Sequence, residues 1–220
     1  MKEYKQIIIA LLIMSSFLIS MYLYPYMSEQ MPTHWNAQGQ IDGYMHKFWA
    51  LFMIPLISSA SVLLFYFIPK IDPLKKNIAK FKSHYDGFIV IFTAYMFYIY
   101  VLTVIANFKP NLNFTKLMIP AFGVLIFYTG SFLKSAKRNW FIGIRTPWTL
   151  SHDKVWEKTH SVGGLLFKLS GIISLFGILF EKYAVLFIMV PIMSVSVFLI
   201  VYSFVLYQRV NKEKIKKKKS

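Results

Sequence analysis

The chain has 220 residues, 56% of them hydrophobic, with a mean hydropathy of +0.50. Only 15% are charged, and 25 Lys and Arg stand against 9 Asp and Glu. Apolar runs this long cannot all face one soluble core, and a chain this apolar is not a disordered one; the lack of cysteine excludes a disulfide scaffold, a thiolate zinc site, an iron–sulfur cluster and a cysteine nucleophile.

A bilayer-crossing helix needs about 20 mostly apolar residues. Residues 6–24, 48–68, 87–106, 114–132, 162–180 and 183–207 meet or nearly meet that length. The fold class expected is therefore an all-α integral membrane protein, a six-transmembrane-helix bundle. Lys2 and Lys5 before the first run give it the look of a signal peptide. Tyr22, Tyr24 and Pro25 do not fit the small-residue cleavage pattern, so it is read as a retained helix.

Basic residues set the orientation. With both termini cytoplasmic, only Lys47, Lys109, Lys116 and Lys182 of the 25 basic residues fall outside. That placement accounts for the net charge of +16 without nucleic acid, and no direct nucleic-acid partner is expected. The tail ends in Lys212, Lys214 and Lys216–Lys219, which can hold anionic lipids of the inner leaflet but reads first as a solvated stop-transfer end.

Ionisable groups inside a membrane are costly and usually functional. No predicted span carries an acid or histidine near its centre, and Lys168 lies close enough to the cytoplasmic start of its span to snorkel. Pro55, Pro120 and Pro191 interrupt spans, a feature that membrane bundles tolerate. Tyr95, Tyr98, Tyr100 and Tyr128 can line a polar cavity, although packing with one satisfied hydroxyl is the expected role.

Two polar segments carry the remaining information. The outer connection, residues 25–47, centres on Pro32-Thr33-His34-Trp35-Asn36, then Gly39, Asp42, Gly43, Tyr44 and Lys47. Gly39 and Gly43 permit positive φ, and Asn36 and Asp42 favour side-chain-stabilised turns, so a compact ordered loop is expected. Trp35, Tyr44 and Trp49 suit the membrane interface. His34, His46 and Asp42 have the chemistry of metal ligands, but no close pair such as i, i+4 on a helix is present; the segment is read as a folded external cap and no metal is assigned.

The cytoplasmic segment 139–160 holds three of the five tryptophans. Pro147 disfavours a helical Thr146, so 143–148 should be bent. Thr149 or Ser151 can cap a new helix with Asp153 near its positive end, and Trp156, Thr159, His160 and Gly163 share one face of it. A short in-plane cytoplasmic helix feeding the fifth span follows. Arg145 can cap carbonyls, pair with Asp153 or Glu157, or hold a phosphate, with structural pairing expected first. His160 has acid–base chemistry but no carboxylate partner or nucleophile evident in the sequence.

Together these segments resemble the SdpI family of bacterial and archaeal membrane proteins. The first looks like that family's N-terminal two-helix module of unknown function; Asn139, Gly143-Ile144-Arg145-Thr146-Pro147-Trp148, Trp156, Lys158-Thr159 and Gly163-Gly164 look like its signature around the fifth helix. The resemblance implies an N-terminal module over 1–69, a four-helix domain over 70–208 and a basic tail over 209–220. It further implies immunity against a secreted peptide toxin that collapses the membrane potential, and a receptor role in which the toxin-bound protein draws a repressor to the membrane. On that basis toxin would meet His34, Trp35, Asn36, Asp42, Tyr44 and Lys47, and repressor would meet Asn139, Gly143, Arg145, Thr146, Pro147, Trp148, Trp156 and His160. No cofactor or catalytic residue is implied. The alternatives are a transporter of a small amphipathic molecule using Tyr95, Tyr98 and Lys168, and an intramembrane enzyme using His34, His46, His152 and His160.

Overall fold

A computed structural model describes residues 1–109 and 112–219, with side chains described through Lys214. The chain runs α1 (Glu3–Leu23), a hairpin of β1 (Gln30–Trp35) and β2 (Ile41–His46), α2 (Lys47–Ile71), α3 (Lys75–Lys80), α4 (Lys82–Phe108), α5 (Phe114–Ser135), α6 (Pro147–Ser151), α7 (Asp153–Ser174) and α8 (Ala184–Lys219). The six long helices α1, α2, α4, α5, α7 and α8 are each apolar enough to cross a membrane, as the sequence predicts. They alternate in direction. One end of the bundle carries the hairpin, which Asn107 of α4 grips through the Pro32 carbonyl at 3.2 Å. The opposite end gathers the start of α1, the end of α8, α3 and α6, with Lys5 bonded to the Ser83 carbonyl and Lys154 to Glu213.

Hydrocarbon gives helices no hydrophobic reason to associate, so close backbone approach and hydrogen bonds must hold them together. α5 and α7 make the most extensive pairing, through two glycine pairs spaced seven residues apart on each helix. A Cβ on Gly130 would lie 2.5 Å from the Gly164 carbonyl oxygen, and one on Gly171 would lie 2.7 Å from that of Gly123. No side chain fits there.

The prolines of α2 provide a second set of clamps. A helical proline deprives the carbonyl four residues earlier of its partner. Pro55 does this to Leu51, whose carbonyl accepts instead from the Ser20 hydroxyl of α1 at 2.7 Å. Pro69 does it to Phe65, whose carbonyl accepts from the Tyr85 hydroxyl of α4, also at 2.7 Å. What reads in sequence as tolerated kinking is therefore where neighbouring helices dock.

Three expectations change. The outer segment is a β-hairpin rather than a loop, with irregular register between Pro32 and Trp35. The short helix before the fifth span is the single turn α6, and residues 153–162 belong to α7 itself, because their Trp156, Thr159, His160, Gly163 face is buried in the bundle. The caps are Thr146 for α6 and His152 for α7, in place of Thr149 or Ser151. At the far end α8 stays helical to Lys219, while the expected lipid contacts of the Lys216–Lys219 side chains lie outside the described residues.

Candidate functional site

The expected site residues separate into two clusters at opposite ends of the bundle. At the hairpin end, Asn36 builds the turn: its side-chain oxygen accepts from the N–H groups of Gln38 and Gln40, both at 3.0 Å. Gly39 has φ +79°, the conformation that favours glycine. Gly43 answers to space instead, since a Cβ there would stand 2.8 Å from that of His34. Trp35 turns inward and stacks on Phe114 at 3.9 Å, nearly parallel, fastening the hairpin to the start of α5.

The rest of this cluster faces outward. His34 Nδ1 lies 2.5 Å from Asp42, with both side chains exposed, so Asp42 is a strand residue and not a turn former. His46 Nε2 lies 3.1 Å from Glu29, which also holds Lys47 at 2.8 Å. The hydrogen bond from Lys47 is the main reason the Glu29 carboxyl is held below its ordinary range. Tyr44 is 60% exposed. Among the described residues no three His, Asp or Glu side chains converge to hold a metal ion.

Beside the hairpin tip, Gln38, Asn113, Thr115, Lys116, Glu181 and Lys182 border a cavity of about 240 Å³. Glu181 accepts from Lys116 at 2.6 Å and from Asn113 at 3.1 Å. The cavity thus joins the hairpin, α5 and the turn into α8, a junction that sequence reasoning missed because its residues lie far apart in the chain.

The second cluster, opposite, is a polar knot. Asn139 is fully buried and spends its whole amide on the local backbone: its nitrogen donates to the Lys137 and Ile142 carbonyls, and its oxygen accepts from Phe141 and Ile142. Gly143 has φ +110° and a ceiling, because His160 Nε2 lies 2.4 Å from where its Cβ would stand. That same nitrogen accepts from the Ile144 N–H at 2.9 Å, while Nδ1 lies 2.9 Å from the Trp156 carbonyl. One ring nitrogen accepts and the other donates, which is the pattern of a neutral imidazole. The ring stacks on Trp156, whose indole N–H donates to the Ala136 carbonyl at 2.8 Å.

Thr146 and Thr149 form a reciprocal capping box on α6, with Pro147 in its first turn, and Thr146 reaches Ser203 of α8 at 3.1 Å. Trp148 packs edge-on to Phe204. Of the roles open to it in the sequence, Arg145 takes carbonyl capping: it donates to the Trp140 carbonyl at 2.8 Å, while Asp153 pairs with Arg138 and Glu157 with Lys137. A further missed contributor is Asp72, which is buried and accepts from the Trp140 N–H at 2.9 Å. The groups left facing outward are Arg145, Pro147, Trp140 (52% exposed) and Phe141.

The residues of the transport alternative are packed or bonded rather than gathered along a polar path. Tyr100 meets Ser20 at 2.7 Å, Tyr98 donates to the Leu117 carbonyl, Tyr95 sits edge-on to Phe122, and the Lys168 ammonium lies over the Phe127 ring. Tyr95 and Tyr98 border a cavity of about 330 Å³ whose other walls, such as Ile91, Pro120 and Val124, are apolar.

Comparison with known proteins divides along the same lines. Residues 135–203, which hold the knot, match the SdpI/YfhL protein family, and residues 11–58, which hold the hairpin, match a domain of unknown function, DUF1648. The chain is 24% identical over 208 residues to Immunity protein SdpI of Bacillus subtilis (strain 168), covering 94% of this chain and 98% of that protein. No solved structure matches.

Proposed function

We propose that this multi-pass plasma-membrane chain is an SdpI-like, non-enzymatic immunity protein that protects its cell against a secreted, membrane-depolarising peptide, a reading supported by the SdpI/YfhL match over residues 135–203 and by the likeness to Immunity protein SdpI. The observation that carries this reading is the hairpin end, a rigid scaffold whose polar side chains His34, Asp42, Tyr44 and Gln38 stay available to a ligand. The positive-inside rule puts this end outside the cell, since it holds only Lys47, Lys109, Lys116 and Lys182 of the basic residues. Recognition would use the exposed strand face and the neighbouring cavity, with Trp35, Asn36 and Lys47 holding the scaffold.

On the cytoplasmic side, Arg145, Pro147, Trp140 and Phe141 form the accessible face, flanked by basic loops, to which a repressor would dock; Asn139, Gly143, Thr146, Trp156 and His160 support it from beneath. The basic end of α8 would rest against anionic lipid. The test is membrane potential in peptide-sensitive bacteria during challenge, with and without the chain. Potential retained only in expressing cells supports immunity. Equal collapse, with the protein in the membrane, overturns it.

A further inference from the structure

The turn that joins α7 to α8 separates two recesses of opposite character. On one side is the polar cavity at Glu181 and Lys182. On the other is the larger hollow of the two, about 570 Å³, walled by Ile173, Phe180, Tyr183, Phe187, Val190 and Pro191. Its volume is in the range of small-molecule sites, and it opens sideways between two spanning helices, toward hydrocarbon. Phe180 and Phe187 stack at 5.6 Å to form one wall. From Tyr183 down to Pro191 the recess follows α8 for about 12 Å at 1.5 Å per residue.

The charge at this end of the bundle is unbalanced, and the unbalanced part lies beside Tyr183, which walls the slot. Lys47 is held by Glu29 and Lys116 by Glu181. The Lys182 ammonium, among the described residues, has no carboxylate in ion-pair range and lies 5.6 Å from the Tyr183 ring centroid. A cation beside a phenol, above an apolar slot that faces the bilayer, complements a molecule with an anionic head and a hydrocarbon chain.

We propose that this turn is a binding site for one anionic phospholipid of the leaflet at the hairpin end, its phosphate at Lys182 and Tyr183 and an acyl chain in the slot between α7 and α8. The site is distinct from the basic tail, which lies at the opposite end. It places a lipid against the same turn whose Glu181 ties Lys116 and Asn113 together, so lipid occupancy and the shape of the polar cavity are mechanically linked. The inference does not depend on the immunity reading.

Native mass spectrometry of the full chain, released from nanodiscs of mixed phosphatidylglycerol and phosphatidylcholine, tests it. The expected result is one retained phosphatidylglycerol per chain, favoured about tenfold over phosphatidylcholine. Lys182→Glu and Lys182→Gln should each reduce that preference at least fivefold, and Val190→Trp, which fills the slot, should remove retention of both lipids. Retention that ignores the headgroup, or survives both Lys182 variants and Val190→Trp, overturns the proposal. So does a dimer of the wild type that Val190→Trp dissociates, because a second copy would then occupy the slot. Unchanged helicity and elution of each variant in detergent confirm that the fold is retained.

Discussion

The two ends of the bundle use similar residues to opposite effect. Both are rich in tryptophan, histidine, asparagine and glycine around a tight bend. At the knot, Asn139, Thr146, Thr149, Trp156 and His160 are buried and their polar atoms bond to nearby backbone, to one another or, from Thr146, to Ser203. At the hairpin, His34, Asp42, His46 and Glu29 pair with each other in the open. A dense motif can thus be a brace or a recognition surface, and the difference lies in where its hydrogen bonds go. A buried polar group left without a partner is expensive, whereas an exposed one can exchange its partner for water or for a ligand.

The strongest way to break this contrast is Asn139→Ala. It removes the acceptor for two backbone N–H groups and the donor to two carbonyls inside the knot. The expected cost is about 3–4 kcal/mol, since each buried unsatisfied group costs about 1–3 kcal/mol. Thermal unfolding in detergent should show it, and near-wild-type stability would mean the knot is not a brace. His160→Phe is the next step down. It keeps an aromatic ring against Trp156 but leaves the Ile144 N–H without an acceptor, for an expected loss of about 2 kcal/mol. A protonatable histidine is not needed there, so His160→Gln, which can still accept, should recover part of the loss.

Arg145→Ala sharpens the contrast from inside the knot. Its single bond to the Trp140 carbonyl is exposed, so the expected destabilisation is about 1 kcal/mol or less. If the cytoplasmic face binds a repressor, recruitment should nonetheless fall in this variant. Unfolding and recruitment measured on the same preparation separate the two roles, and a loss of several kcal/mol would return Arg145 to the brace.

The sequence made the spans legible because length and hydropathy bound them tightly, and it identified the Trp156, Thr159, His160, Gly163 face before its environment was known. It puts that face on a separate in-plane helix because Asp153, Lys154, Glu157 and Lys158 surround it with charge, and only packing shows that this charged turn is the start of the spanning helix itself. The hairpin escaped notice because Pro32 and a bulged register break the period-two pattern that marks a strand. Proximity in sequence leaves carbonyl capping and pairing with Asp153 or Glu157 both open to Arg145; the bend at Gly143 decides for the Trp140 carbonyl and leaves those acids to Arg138 and Lys137. The repeated seven-residue spacing of Gly123 with Gly130 and of Gly164 with Gly171 was visible throughout. Its meaning needed the two helices side by side.

The smallest expected effect sets the exposed carboxylate pairs of the hairpin against the uncharged polar groups buried in the knot. Glu29 has an ordinary value of 4.5 and is lowered in the folded chain, first by its hydrogen bond from Lys47. A depressed carboxylate contributes stability that is fully present above its unfolded value and is lost as pH falls through the folded one. The pairing of Glu29 with Lys47 and His46 should therefore persist through pH 4.5 and weaken only below it. Amide shifts of the hairpin in micelles would follow the loss, and Lys47→Met should move the midpoint up toward the ordinary value. The bonds made by Asn139, Thr146 and Thr149 should not themselves respond over the same interval, since their amides and hydroxyls do not titrate there. A knot response whose midpoint moves together with the hairpin's in Lys47→Met would show that the hairpin and the knot are one cooperative unit and not two independently held caps on a shared bundle.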